Sequence, residues 1–449
     1  MLRSRVSLGA LIAAYAAFLA ALSRLRPLWL DEVLQAIGTR DLPTTQVFGY
    51  VQTFPGAAPL GYLVQHWSVV ALGFSTSSAR ATSAVFSLLS CVVLIAIARE
   101  LHVHRRWLAV VCWIVLPLQL RYAVEGRPYS QALFFCVLAT FFALRLLSSP
   151  LLSIAAMYGI SVVGGIYSAP YVIFLAAGYA GGLAAVRRNA RTAIYAVFAT
   201  ALAAMSFVPW WIFARPHWKE SLADDQNVVF RVSPKFPLLL LKEISGGGYI
   251  CSVAFLAVVV IGCTSKRLSR PVRTVLLSGI VAGLLLAITA DAVFGYFFAI
   301  RQVLFILAPL TVLAAEGFSV LLDTRRYLAS AIVGLALIGG AVVKDFTYFS
   351  DTSENWQAAV LGINQAVSRG ACIEFVPPRD ALPYEFFVPS LRDHRCLAGE
   401  SLIAIPVSRY TTAERIRSAR EQLFKNGYHP QFAITAGGVK TTVFKRNQR

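Results

Sequence analysis

The chain has 449 residues, of which 57% are hydrophobic and 14% charged, and its formal net charge is +19. Soluble domains carry about a quarter charged residues, so this balance excludes one and indicates a polytopic helical membrane protein. The basic residues fall in short clusters between apolar runs, not on a continuous face interleaved with aromatics, which argues for membrane topology and against nucleic acid.

Apolar segments of about 17–22 residues, long enough to cross hydrocarbon, recur from the N-terminus to about Lys344. The first, at about 7–23, follows Arg3 and Arg5. Arg24 and Arg26 occupy the place of a small-residue cleavage site, so the segment is expected to be retained. Ten more spans are predicted at about 80–98, 107–121, 127–147, 151–167, 169–186, 192–213, 248–264, 273–291, 302–321 and 328–344. With a cytoplasmic N-terminus, the clusters at 3–5, 99–106, 187–191, 266–273 and 325–326 all face the cytoplasm. The chain then reads as a multi-pass protein of the inner (cytoplasmic) membrane with its C-terminus outside.

Four segments fall on the outer side. A long loop, about 24–79, carries Asp31, Glu32 and an apolar stretch at 60–72 that reads as an interfacial helix. A short turn holds Leu120-Arg121-Tyr122-Ala123-Val124-Glu125-Gly126-Arg127-Pro128-Tyr129. A loop at 214–247 follows, and residues 294–301 lead into the tenth span.

The composition changes at Asp345. Residues 1–344 are expected to form the membrane domain and 345–449 a small α/β domain outside the membrane. Helices are predicted at 355–369 and 412–424, and strands at 372–376 and 441–444. Cys91, Cys112, Cys136, Cys251 and Cys263 lie in apolar runs as packing residues. Cys372 and Cys396 lie in the outer region, where an oxidising compartment would allow them to pair. No internal repeat is found.

The outer arginines run against the positive-inside bias. Arg121, Arg127 and Arg301 sit at outer helix ends, and Arg80 heads the second span. Each of the first three calls for an anionic partner, and phosphate matches the planar, permanently charged guanidinium fork, while Arg80 either belongs with them or snorkels. The alternative is pairing with Glu125 or Asp291. Carboxylates beside such a pocket can take a proton from an acceptor hydroxyl while arginines neutralise a leaving phosphate. Asp31 and Glu32 are the candidates, with capping of an interfacial helix as the alternative for both. Glu125 is either a second acid or an orienter of Arg127. His66, in an aromatic and apolar stretch beside Trp67, is a supporting residue. No His/Cys/carboxylate cluster has metal spacing and no P-loop or G-x-G-x-x-G element occurs, so neither metal nor cofactor is expected.

These residues resemble a known family. Leu28-Trp29-Leu30-Asp31-Glu32 resembles the first-loop acidic motif of the GT-C membrane glycosyltransferases of the protein-mannosyltransferase-like type (glycosyltransferase family 39). Arg80-Ala81-Thr82-Ser83 is similar to their second-span entry. Tyr122-Ala123-Val124-Glu125-Gly126-Arg127-Pro128-Tyr129 resembles the bacterial branch's Tyr, two residues, Glu, a small residue, Arg, Pro, Tyr, and is the most specific match. Val208-Pro209-Trp210-Trp211 and the Arg301 segment ending in Ala308-Pro309 also fit. The likeness covers about 1–325. The family's His-Pro-Pro stands here as Ala57-Ala58-Pro59, its Thr-His-Tyr as Tyr167-Ser168-Ala169-Pro170, and its Arg-Tyr as Arg301-Gln302.

The resemblance implies transfer of a sugar from a polyprenyl-phosphate carrier to a hydroxyl on a lipid, polysaccharide or protein at the outer membrane face. Asp31 would activate the acceptor with Glu32 beside it, and Arg127 and Arg301 would hold the donor phosphate with Arg121 and Arg80. Glu125, Tyr122 and Tyr129 would support them. Two other classes use many helices with intramembrane charge, a lipid or solute transporter and a non-enzymatic envelope-assembly factor. Convergence of Asp31, Arg127 and Arg301 on one outer cavity separates the enzyme from them.

Overall fold

The structure is a computed structural model that describes residues 2–103, 105–186, 190–224, 234–294, 299–351, 354–367, 373–376, 381–389, 402–407, 411 and 413–446. The chain is mostly helical, with one small sheet near its C-terminus. Helix α1 is Leu2–Leu22. The long first loop folds into α2 (Leu30–Ala36), a π-helical turn (Ile37–Asp41), α3 (Thr44–Val51) and α4 (Pro59–Leu72), the last being the helix expected at the interface. Next come α5 (Thr76–Glu100), α6 (Trp107–Val115), α7 (Pro117–Ala123), α8 (Tyr129–Ser148), α9 (Leu152–Ile166), α10 (Val172–Ala185) and α11 (Ala190–Asp224). Helices α12 (Phe236–Ser245), α13 (Tyr249–Thr264), α14 (Arg270–Phe294), a 3-10 helix (Ile300–Ile306), α15 (Leu307–Asp323) and α16 (Tyr327–Ser350) complete the bundle.

Among the described residues, six helices are long and apolar enough to cross a membrane, and α12 with α13 makes a seventh candidate bent by 86°. Three shorter apolar helices accompany them, at Leu8–Leu22, Leu152–Ile166 and Val172–Ala185. The segment expected as one span at 107–121 is two helices. Pro117 lacks a backbone donor and holds Leu116 extended (φ −75°, ψ 112°), so the ladder breaks there. The region read as a loop at 214–247 is mostly helical where described, because α11 continues to Asp224 and α12 occupies Phe236–Ser245.

The 3-10 helix and α15 form the centre of the bundle, with 89% of their apolar window buried against 17% for α16 at the periphery. Glycine permits the closest approach: a Cβ on Gly317 would lie 2.0 Å from the Val258 carbonyl, and one on Gly262 2.0 Å from that of Leu313. Backbones can meet this closely only where side chains are absent, which is how helices associate when burial in lipid offers no hydrophobic gain. One interior polar cluster is satisfied in place. Tyr15, Ser87 and Gln119 bond one another at 2.6–3.2 Å across three helices.

The C-terminal region comprises α17 (Trp356–Val367), β1 (Ile373–Phe375), α18 (Leu382–Phe387), β2 (Leu402–Val407), α19 (Ala413–Lys425), β3 (Tyr428–Ala436) and β4 (Val439–Arg446). The strand order is β1-β2-β4-β3, with β1 and β2 parallel and the other pairs antiparallel. Gly437 and Gly438, both at positive φ, make the two-residue turn between β3 and β4. Cys372 and Cys396 lie outside the described residues.

Candidate active site

The sequence places two acids side by side at the start of α2, and the helix sends them in different directions. Consecutive residues on an α-helix are about 100° apart, so neighbours cannot share one target.

Glu32 points inward and is almost fully buried. Its carboxylate accepts a fork from Arg80, Nε at 2.7 Å and Nη2 at 2.5 Å. It also accepts the Gly126 amide at 2.6 Å and the Trp29 amide at 3.3 Å. The last bond is the reach of a third-position acid back to the helix cap, so the capping role considered for both acids is filled by Glu32. Arg80 uses its remaining donors on the carbonyls of Ser23, Arg26 and Pro27 at 2.9–3.2 Å. The structure thus puts Glu32 and Arg80 together in a buried ion pair that ties α2, α5 and the 124–128 turn, away from any open surface. Arg80→Ala leaves the Glu32 carboxylate buried without its counter-ion and is expected to cost about 3–5 kcal/mol, read as a lowered denaturation midpoint in detergent.

Asp31 faces the other way and remains a quarter exposed. Its Oδ2 lies 3.2 Å from Arg301 Nη1 and 3.9 Å from Arg127 Nη2. Arg127 also donates Nη1 to the Asp31 carbonyl at 3.3 Å and approaches the Tyr62 hydroxyl at 3.5 Å, with Tyr129 beneath its guanidinium. Residues 270 positions apart therefore meet on one carboxylate.

The turn that presents Arg127 is held from behind. Ser83 donates to the carbonyls of Glu125 (2.6 Å) and Arg127 (3.1 Å), and Gln65 donates to that of Gly126 at 3.1 Å. Gly126 sits where a Cβ would be 3.1–3.3 Å from Ala79, Gln65 and Glu32, explaining the small residue in this motif. Arg301 stands at the head of the 3-10 helix. Its neighbour Gln302 donates to the Tyr171 hydroxyl at 2.7 Å and accepts from the Ala299 amide at 2.8 Å.

The structure brings Arg121 and Glu125 to the same turn without a close bond. Arg121 Nε lies 3.7 Å from Glu125 Oε2, and the guanidinium covers the rings of Tyr348 and Tyr122. Tyr122 packs edge-on to Tyr129 at 4.9 Å, joining the two arginine sites. Glu125 is 1% exposed, and neither of its oxygens has a hydrogen bond. Burial, reinforced by Glu32 and opposed by Arg121, pushes its carboxyl up to about 7. The folded state then holds a proton on Glu125 that the unfolded chain releases near 4.5, so stability falls as pH rises from there to about 7. The loss is expected to approach about 3 kcal/mol, and Glu125→Gln should flatten that part of the pH profile in thermal unfolding.

His66 is buried, with Nε2 on Thr44 Oγ1 at 2.9 Å and Nδ1 on the Thr39 carbonyl at 2.8 Å. It fastens α4 to the π-helical turn. Tyr62, Tyr171 and Gln65 were not found from the sequence, because each acts through a partner distant in the chain and none belongs to a charged motif, while Ser83 and Gln302 stood in quoted motifs without a role. Among the described residues no group of three or more His, Cys, Asp or Glu gathers where a metal could bind.

Comparison with solved structures shows this fold elsewhere. The chain is similar to ArnT from Cupriavidus metallidurans in the apo state, with a TM-score of 0.65 and 12% identity, covering 98% of both chains. It is similar to the same protein bound to undecaprenyl phosphate, with a TM-score of 0.63 and 12% identity over 97% of both. Arabinofuranosyltransferase AftD from Mycobacteria matches with a TM-score of 0.53 and 16% identity over 98% of this chain and 40% of that one. No family model and no curated protein matches the sequence. The likenesses establish the fold as that of GT-C glycosyltransferases.

Proposed function

We propose that the chain is a membrane glycosyltransferase of the protein-mannosyltransferase-like type. It would move a sugar from a polyprenyl-phosphate carrier to a hydroxyl on a lipid, polysaccharide or protein. The observation that carries this reading is the meeting of Arg127 and Arg301 on the Asp31 carboxylate. Two guanidiniums converging on one small anion form a site that a phosphate fits. The donor phosphate would take their donors, leaving Asp31 free to face the acceptor.

The acceptor hydroxyl attacks the anomeric carbon as its proton passes to Asp31 Oδ2. The bond from that carbon to the phosphate oxygen breaks, and polyprenyl phosphate leaves with its negative charge on Arg127 and Arg301, inverting the anomeric centre. The leaving group is already a stabilised anion, so fixed arginines can supply the charge without a metal. Arg121, Tyr122, Tyr129 and Glu125 border this site, while Glu32, Arg80 and His66 hold its frame. Beside Arg301 and Tyr129, a small crevice lies between Leu133, Cys136, Val172, Leu304 and Phe305 and gives the site an apolar border. Undecaprenyl phosphate bound to ArnT is consistent with this assignment.

The distribution of charge supports one orientation in the membrane. Helices α5, α8 and the 3-10/α15 pair begin at the site with Arg80, Tyr129 and Arg301 and end beside Glu100, Arg145 and Asp323. The far ends carry the basic network, where Arg105 and Arg267 both reach Asp323 and Arg145 reaches Glu100. By the positive-inside rule those ends would be cytoplasmic, which supports a reading with the site and the C-terminal domain at the outer face of the inner membrane. The deciding experiment supplies purified protein with a panel of polyprenyl-phosphate sugars and follows release of the polyprenyl phosphate by mass spectrometry. Absence of sugar-dependent release across the panel, from folded protein, would overturn the reading.

A further inference from the structure

Helix α2 has seven residues, too few to hold a helix by themselves, so the position of Asp31 depends on what packs against it. Much of that packing comes from the C-terminal domain. Phe386 of α18 is 1% exposed and shares a cluster with Leu28, Val33, Ala36 and Ile37, while Leu30 packs on the domain's own core. Arg40, just beyond α2, donates Nη2 to the Phe386 carbonyl at 3.0 Å and lies 3.6 Å over its ring, and the same Nη2 donates to Asp41 at 2.8 Å.

Helix α18 is in turn fixed to the sheet. The Tyr384 hydroxyl bonds Thr441 Oγ1 at 2.8 Å, and its ring lies 4.5 Å from Phe375 and edge-on to Trp356. At the entry to α2, Arg26 donates to the Asp351 carbonyl at 3.3 Å and covers the Tyr348 ring. A continuous packed path therefore runs from the sheet through Tyr384 and Phe386 to the helix bearing Asp31.

We propose that the C-terminal domain sets the rotation of α2, with Phe386 and Arg40 as positioning residues for the base. The proposal rests on the assignment of Asp31 above. Arg301 at 3.2 Å and Arg127 at 3.9 Å hold the Asp31 carboxylate from one side, so release of α18 from the other lets α2 rock about its Glu32–Arg80 anchor and moves the proton acceptor off line. The donor site is spared, because Arg127 and Arg301 belong to other elements.

The test uses full-length protein in lipid nanodiscs carrying Phe386→Ala, Phe386→Leu, Arg40→Gln or Arg40→Lys. Amide exchange over 30–41 should accelerate in Phe386→Ala and Arg40→Gln while α5 and α8 stay protected. Turnover should fall about ten- to a hundredfold, the usual cost of a misplaced catalytic group. Binding of sugar-free polyprenyl phosphate should shift by less than about threefold, and Phe386→Leu and Arg40→Lys should recover part of the turnover. Unchanged exchange over 30–41 in Arg40→Gln, or faster exchange with full turnover, would overturn the clamp; if Phe386→Ala does not fold, Arg40→Gln decides. Wild-type protein that transfers no sugar removes the functional reading, whereas the exchange measurement judges the mechanical link independently.

Discussion

Replacing Asp31 with asparagine is expected to lower sugar transfer about 10²- to 10⁴-fold, the usual weight of a general base. The substitution keeps the shape of the side chain and removes its negative charge and with it the ability to accept a proton. The fold should be untouched, because the structural bonds at the start of α2 belong to Glu32. Binding of polyprenyl phosphate should hold or tighten. Asp31 engages the same guanidiniums that the phosphate would need, and neutralising it removes that competition together with a like-charge repulsion. Turnover from single-cycle release and affinity from phosphate-lipid titration separate the two effects. Near-normal transfer by folded Asp31→Asn protein would return Asp31 to a merely local role.

Truncation of Arg127 should act on both binding and rate. Arg127→Ala is expected to reduce kcat/KM about 10²- to 10³-fold, as loss of one preorganised donor does at a developing anion. Affinity for polyprenyl phosphate should weaken with it, since one contact serves the bound phosphate and the leaving group alike. Arg127→Lys should recover part of this, keeping the charge but losing the paired nitrogens, of which Nη1 reaches the Asp31 carbonyl and Tyr62 and Nη2 faces the Asp31 carboxylate. Arg301→Ala should behave similarly. The double variant should lose less than the sum of the two, because both arginines act on one phosphate. Unaltered binding of polyprenyl phosphate by Arg127→Ala would take the phosphate site elsewhere.

Much of the architecture was legible in the chain. Apolar runs of spanning length and basic punctuation depend on local composition, and the helices at 60–72, 355–369 and 412–424 have counterparts in α4, α17 and α19. The break at Pro117 was equally local, yet the apolar run around it reads as one span because hydropathy is blind to a missing backbone donor. The hairpin of β3 and β4 carried a signal too. Gly437-Gly438 between alternating strands is a two-residue turn, whereas the strand prediction reached only 441–444. Strand β2 offered no such cue, since a short buried run of apolar residues has the same pattern in a helix.

The sequence by itself determined that the protein is a helical membrane protein with acids and arginines at one face, because length, hydropathy and charge are properties of neighbouring residues. Only the tertiary structure decided which acid meets which arginine. Asp31 and Glu32 are one residue apart and carry the same charge, but the turn of α2 sends one to Arg301 and Arg127 and the other into a buried fork with Arg80. Those partners come from α5, the 124–128 turn and the 3-10 helix, and their meeting is set by how the helices pack. Side-chain direction follows from helical rotation against a packed neighbour, which no linear spacing records.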